Sequence, residues 1–144
     1  MLLWESTPTP CEPPCRIDDS RRLLRIVAGR SEVPVKLAID TGHQCTVGVG
    51  RDDNDVCAWL RELAPGSPVI HVQQTDGKGD RHWPLTDKYN KVGIIAPEKV
   101  VEAIESSGAG EVHLILEIAH PFEAGETQVL EDLKASVQYW KEDL

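Results

Sequence analysis

The sequence predicts an α/β protein built on a parallel sheet: four βα units forming the C-terminal half of a (β/α)8 barrel. Three observations carry that prediction. Apolar strand-like runs and amphipathic helical stretches alternate strictly along the 144 residues, the order of a parallel sheet joined by helical crossovers. Every strand-like run ends in polar residues, at Glu5, Asp40, His71 with Gln73, and Glu117. A (β/α)8 barrel builds its site at that end of its strands, from several strands at once. Finally, the segment after the first strand, "STPTPCEPPC", is the opposite of the glycine-rich phosphate loop that a doubly wound dinucleotide fold places there.

The elements follow in order. "LLWE" (2–5) is a short apolar strand that stops in the proline-rich loop. "IDDSRRLLRIVAG" reads as a helix, with Asp18 or Asp19 as N-cap and Gly29 as its stop. "VPVKLAID" (33–40) is a strand ending at "TGH". In "DDNDVCAWLRELAPG", Val56, Trp59, Leu60 and Leu63 recur at helical spacing, and Asp52 to Asp55 favour the N-terminus of that helix. "PVIHVQQ" is the third strand. "APEKVVEAIESSG" is a helix with Pro97 near its first position and Gly108 beyond its end. "EVHLILEI" (111–118) is the fourth strand, and "TQVLEDLKASVQYWKEDL" closes the chain as a helix packed through Val129, Leu133, Val137 and Trp140.

Period two divides each strand. With Asp40 pointing inward, Ala38 and Lys36 do too, and Ile39, Leu37 and Val35 face the helices. His71 brings Val69 and Gln73 inward, and Glu117 brings Ile115 and His113. Trp4 then faces the helices. The helix-facing sets are aliphatic and the inward sets mix polar with apolar, as a catalytic barrel requires. A whole barrel takes ~250 residues, so the reading is one partial-barrel domain over 1–144, the C-terminal half of a longer enzyme, a fragment or a chain with a misplaced start. A half-barrel that closes by dimerising and an intact small sheet with open edges are the alternatives.

Composition narrows the function. The formal charge of −9 argues against a general polyanion binder. The hydrophobic fraction of 40% is ordinary for a globular domain. No apolar run approaches the ~20 residues that cross a bilayer, and "MLLWESTPTP" lacks the layout of a signal peptide. Cys11, Cys15, Cys45 and Cys57 contain no C-x-x-C pair, so a reducing cytoplasmic compartment is expected. Cys11 and Cys15 lie among prolines and read as loop residues.

The strand ends carry the chemistry. An acid, an acid, an imidazole and an acid on four successive strands offer oxygen and nitrogen ligands to one point, a set suited to Mn²⁺, Mg²⁺, Co²⁺ or Zn²⁺ without thiolate. Each residue has a plainer reading: Asp40 in "DTGH" can cap the next segment, and Glu117 can be a surface acid. Beyond His71, "DGKGDRHWPL" adds Asp80, Arg81, His82 and Trp83. Arg81 or Lys78 can meet a phosphate or be solvated loop charges, and Trp83 can stack on a sugar or pack its loop. His113, near the barrel floor, and His120, in the exposed loop "AHPFEAGE", take no catalytic role.

"WESTP", "AIDTGH", "IHVQQTDGKGDRH" and "LILEI" together resemble the last four strands of the xylose isomerase-like TIM barrel superfamily. It includes sugar-phosphate isomerases and epimerases, ketose 3-epimerases and endonuclease IV. The resemblance spans essentially the whole chain. It implies that Glu5, Asp40, His71 and Glu117 bind one divalent metal, with His43 beside the substrate and Arg81, His82 and Trp83 in the substrate pocket. The implied reaction is a cytoplasmic isomerisation or epimerisation of a sugar or sugar phosphate in carbohydrate metabolism. Glu5 and Glu117 would move a proton beside a ketose carbonyl through an enediolate. "DRH" also matches a place where endonuclease IV puts Asp and His on additional zinc, so Asp80 and His82 are candidate ligands. The first half of the barrel, which bears further zinc-binding histidines in the nuclease branch, is not in this sequence, and the chain alone is expected to be inactive. The alternatives are a zinc-dependent endonuclease at abasic sites, which the acidic charge disfavours, and a non-catalytic barrel fragment. No membrane partner is expected; self-association is allowed.

Overall fold

Four short apolar segments pair edge to edge in a computed structural model that describes residues 1–142. They are β1 (Leu2–Glu5), β2 (Val35–Asp40), β3 (Val69–Val72) and β4 (His113–Leu116). All three pairings are parallel, and the strand order β1-β2-β3-β4 repeats the chain order. A doubly wound sheet would reverse direction part-way across; this one keeps going, as a barrel wall does. The result is α/β, a partial TIM barrel of four parallel strands and their helices.

The helices are α1 (Ile17–Ala28), α2 (Val56–Leu63), α3 (Asp87–Asn90), α4 (Pro97–Ser106) and α5 (Glu126–Lys141). The predicted stripe of α2 is the centre of the core: Val56, Trp59, Leu60 and Leu63 are all buried. Asp55 caps this helix by accepting from the Cys57 N–H at 2.9 Å. Leu37 and Ile39 of β2 and Ile70 and Val72 of β3 face them and are buried in the same cluster. The opposite face stays open, with Lys36, His113 and Ile115 exposed. Alternation therefore divides these strands as period two predicts.

Several expectations need correction. The N-cap of α1 is Arg16, and Asp18 and Asp19 lie in the first turn, where a carboxylate still meets the positive end of the helix dipole. The second, third and fourth strands are shorter than predicted: β2 starts at Val35 rather than at 33, and β3 and β4 lose residues at both ends. The short helix α3 is an addition. Trp4 is 37% exposed, since β1 is an edge strand and its outer side has little cover. Residues Asp143 and Leu144 of the predicted last helix lie outside the described residues. Its packing face is also rotated: Ser136 and Trp140 are buried, whereas Val137 and Leu130 are exposed. Ser136 fixes that rotation, because its hydroxyl accepts from the Leu85 N–H at 2.9 Å. His120 is not a free loop residue, since Nε2 lies 3.0 Å from Asp132 on α5.

Candidate functional site

Parallel register puts the polar strand ends at one rim of the sheet. Asp40 lies level with His71, and His71 with Ile115. The backbone of Glu117, two residues on, is held by its N–H donating to Val72 O at 3.0 Å. Glu5 ends β1, level with Ala38. One ligand atom from each of Glu5, Asp40, His71 and Glu117 then falls within 4.8 Å of the others. All four residues predicted to be ligands are brought together.

Asp40 is held by one oxygen and leaves the other unbonded. Asp40 is fully buried. Its Oδ1 accepts from Gly42 N–H at 2.6 Å and from Gln73 Nε2 at 2.9 Å, so the capping role is real but uses only one oxygen. Oδ2 is buried without a hydrogen bond, and so is Glu117 Oε2. His71 Nδ1 lies 2.8 Å from Glu5 Oε1 and 2.6 Å from Glu117 Oε2. One ring N–H cannot serve both oxygens and also Asp40. Burial pushes the Asp40 carboxyl up to about 7; the charge of His43 and the Gly42 N–H ease it, and nearby Glu117 pushes it further up. The two orphaned buried oxygens, with the Glu5 carboxylate beside the same imidazole, form an anionic cage, and a divalent cation would satisfy all of them. The residues present fit such an ion.

A second cluster adjoins the first. His43, Asp80 and His82 also offer ligand atoms within 4.8 Å of one another. His43 Nδ1 donates to Ser6 O at 2.6 Å, and its Nε2 lies 3.4 Å from Asp80 Oδ2. Asp80 Oδ2 is also 3.0 Å from His82 Nε2. Burial alone would lower the His43 pKa; the hydrogen bond to Asp80, the Asp40 charge and the Ser6 carbonyl raise it to about 9. Burial alone would raise Asp80, but hydrogen bonds from His43 and Gln73 hold it at about 2. His82 is raised as well, with the Glu117 carbonyl and the Asp80 charge outweighing its burial.

Arg81 and Trp83 fall to one side of this cluster. Arg81 Nε and Nη2 bond the two oxygens of Asp76 at 3.0 and 3.1 Å. Its guanidinium carbon sits 5.4 Å from the Trp83 ring centroid, and Trp83 stacks on Tyr89 at 5.1 Å. Gln73 is the residue that the sequence argument placed inward but left out of the site. Its period-two relation to His71 was the available signal.

A partial parallel barrel with acids and imidazoles grouped at its C-terminal rim, in positions that could hold a metal ion, defines a class. The chain is a relative of the xylose isomerase-like sugar phosphate epimerases. It is similar to the D-erythrulose 1-phosphate 3-epimerase of Brucella abortus, at 29% identity over 117 residues, which cover 81% of this chain and 38% of that protein. It is also similar to a Rhodospirillum rubrum protein whose crystal structure is provisionally described as a xylose isomerase. That match has a TM-score of 0.85 and 32% identity, and covers 100% of this chain and 47% of the other. The chain thus spans less than half the length of either relative. No family model matches it.

Proposed function

We propose that this chain supplies the metal-binding half of an isomerase or epimerase that moves a proton beside the carbonyl of a ketose or ketose phosphate. The observation that carries the reading is the pair of orphaned buried oxygens, Asp40 Oδ2 and Glu117 Oε2, beside Glu5 and His71. Mn²⁺, Mg²⁺, Co²⁺ or Zn²⁺ would be held by Glu5, Asp40, His71 and Glu117. Once bound, the ion would polarise the substrate carbonyl and offset the negative charge of the enediolate.

The chain's own residues do the rest. Glu5 and Glu117 come from the two outermost strands of the sheet and approach His71 from both sides. One carboxylate takes a proton from the carbon beside the carbonyl, and the other returns one to the opposite face. Positioned acid–base help of this kind is worth about 10²–10⁴-fold. His43, held protonated by Ser6 and Asp80, places a positive charge beside the substrate oxygen that gains negative charge. His82 adjoins His43 and Asp80, with Arg81 and Trp83 to one side, and a short sugar phosphate of the kind named for the Brucella abortus relative is the substrate class we assign.

The test is hydrogen–deuterium exchange at the carbon beside the carbonyl of D-erythrulose 1-phosphate, followed by NMR in D₂O with Mn²⁺. It is run on the full chain alone and on the chain joined to the remaining half of the Rhodospirillum rubrum relative. Exchange is expected in the joined protein, with a loss of several orders of magnitude in Glu5→Gln and in Glu117→Gln. Phosphodiester hydrolysis at abasic DNA is the second reading, favoured by the His43–Asp80–His82 cluster; the charge of −9 weighs against it. Cleavage of abasic DNA without any ketose exchange would replace the first reading with the second.

A further inference from the structure

We propose that Gln73 is a positioning residue that ties the four-ligand cluster to the Asp80–His82 loop through the two ends of its amide. It lies two residues past His71 on the same inward face, and its side chain is fully buried. Nε2 donates its two protons to Asp40 Oδ1 at 2.9 Å and to Asp80 Oδ1 at 2.8 Å. Oε1 accepts from the backbone N–H of His82. Carboxylates only accept and a backbone N–H only donates, so the amide can sit just one way round. Both protons and the oxygen are used, and each bond joins a different piece of the site.

Three further features support that role. His82 has a φ of +49°, a left-handed backbone that a side chain with a Cβ adopts only under constraint, and the bond from its N–H to Gln73 supplies one. Gly42 lies two residues past Asp40, and a Cβ there would overlap the Gln73 side chain; the site gives up a side chain at 42 so that the amide can reach Asp40. The backbone of Gln73 is anchored independently, since its N–H donates to Thr41 Oγ1 at 3.1 Å and its carbonyl accepts from the same hydroxyl at 3.2 Å. The amide is therefore free to be removed without detaching the strand end. Asp40 Oδ1 is held in place so that Oδ2 is left to the four-residue cluster, and the Gln73 amide gives a shift of Asp40 a direct route to Asp80 and His82.

The inference rests on the proposed metal reading for its second arm only. In the full chain, amide hydrogen exchange is compared between the unmodified protein and Gln73→Met, a near-isosteric change without donors or acceptor. The His82 N–H is expected to exchange about ten-fold faster in the variant, the factor that one net hydrogen bond is worth. The Gln74 and Trp83 amides, which pair with each other's carbonyls, are expected to stay protected. In the second arm, Mg²⁺ alone is titrated and histidine ring signals are followed by NMR. Shifts at both His71 and His82 are expected in the unmodified chain; in Gln73→Met the His71 shift persists and the His82 shift is expected to shrink to what the Glu117 carbonyl, 3.2 Å from His82 Nδ1, still passes on. Equal His82 exchange in both proteins, or an undiminished His82 shift in the variant, overturns the role of Gln73. A chain whose His71 signals ignore Mg²⁺ overturns the metal reading, and the exchange arm still decides Gln73.

Discussion

Asp40 shows how one residue serves structure with one oxygen and chemistry with the other. Asp40→Asn keeps an oxygen for Gly42 and Gln73 and puts an NH₂ where Oδ2 faces Glu117. Without metal, that change removes a buried charge and gives the orphaned Glu117 Oε2 a donor. The metal-free variant is expected to melt about 3–6 °C higher than the unmodified chain, and to lose the stabilisation that Mn²⁺ gives the latter. A thermal scan with and without Mn²⁺ checks both, and an unchanged Mn²⁺ response would end Asp40's role as a ligand. The pH dependence follows from the same neighbourhood. Asp40 is raised from 3.8 to about 7, so the folded state prefers it protonated and stability falls as it ionises between those values. His43 is raised from 6.5 to about 9; the stability it contributes is complete below 6.5 and is lost as pH rises through 9. With chelator present, thermal stability is expected to fall from pH 4 to 9 as these groups deprotonate in turn, and Mn²⁺ is expected to flatten the lower part of that slope. A metal-free chain that grows more stable across this range would contradict the site's electrostatics.

The elements place these residues by two different means. Helix α2 anchors the sheet from behind through Trp59, which is buried among Leu37, Ile39 and Ile70 in one cluster and donates from Nε1 to Asp53 O at 2.9 Å. Trp59→Ala is expected to cost about 3–5 kcal/mol of unfolding free energy, the range for emptying an aromatic site in a packed core. Trp59→Phe should cost distinctly less, because most of the volume remains. Denaturant melts of both would show whether packing or the indole bond dominates. At the front, the β2-to-loop turn depends on space. Gly42→Ala has nowhere to put its methyl except against Gln73. It is expected to reduce Mn²⁺ affinity by at least about ten-fold, one hydrogen bond's worth at Asp40, with little change in helical signal. Calorimetric titration measures it, and unaltered affinity would mean that the amide moves aside freely.

At the scale of the whole molecule, the open side of the sheet dominates. The chain exposes 8487 Å², whereas a compact monomer of 15.9 kDa should expose roughly 7,400 Å². The excess is on the order of the ~800 Å² that one partner buries in a standard protein interface. β1 and β4 end the sheet with unpaired backbone edges, and Leu3 and Ile115 stand exposed on them. Such edges recruit further strands. The chain on its own is expected to associate with rising concentration, and Ile115→Lys to weaken that association without changing the helix-side core. Sedimentation equilibrium tests it; an ideal monomer at all concentrations would show that the edges are adequately protected.

What the sequence determined by itself was whatever depends on local periodicity. Period two put Leu37, Ile39, Ile70 and Val72 on the helix side, period 3.6 put Trp59 and its neighbours in the core, and the strict βα alternation gave the parallel sheet. The polar strand ends named the first cluster, because residues at equivalent ends of adjacent parallel strands must meet. Tertiary structure alone decided which oxygen of Asp40 is left unbonded, since that depends on partners such as Gly42 N–H and Gln73 Nε2. It also decided that Arg81 turns to Asp76 and that α5 packs through Ser136 rather than Val137. Those choices are competitions among hydrogen-bond partners distant in the chain or brought together by loop geometry, and apolar spacing contains no record of them.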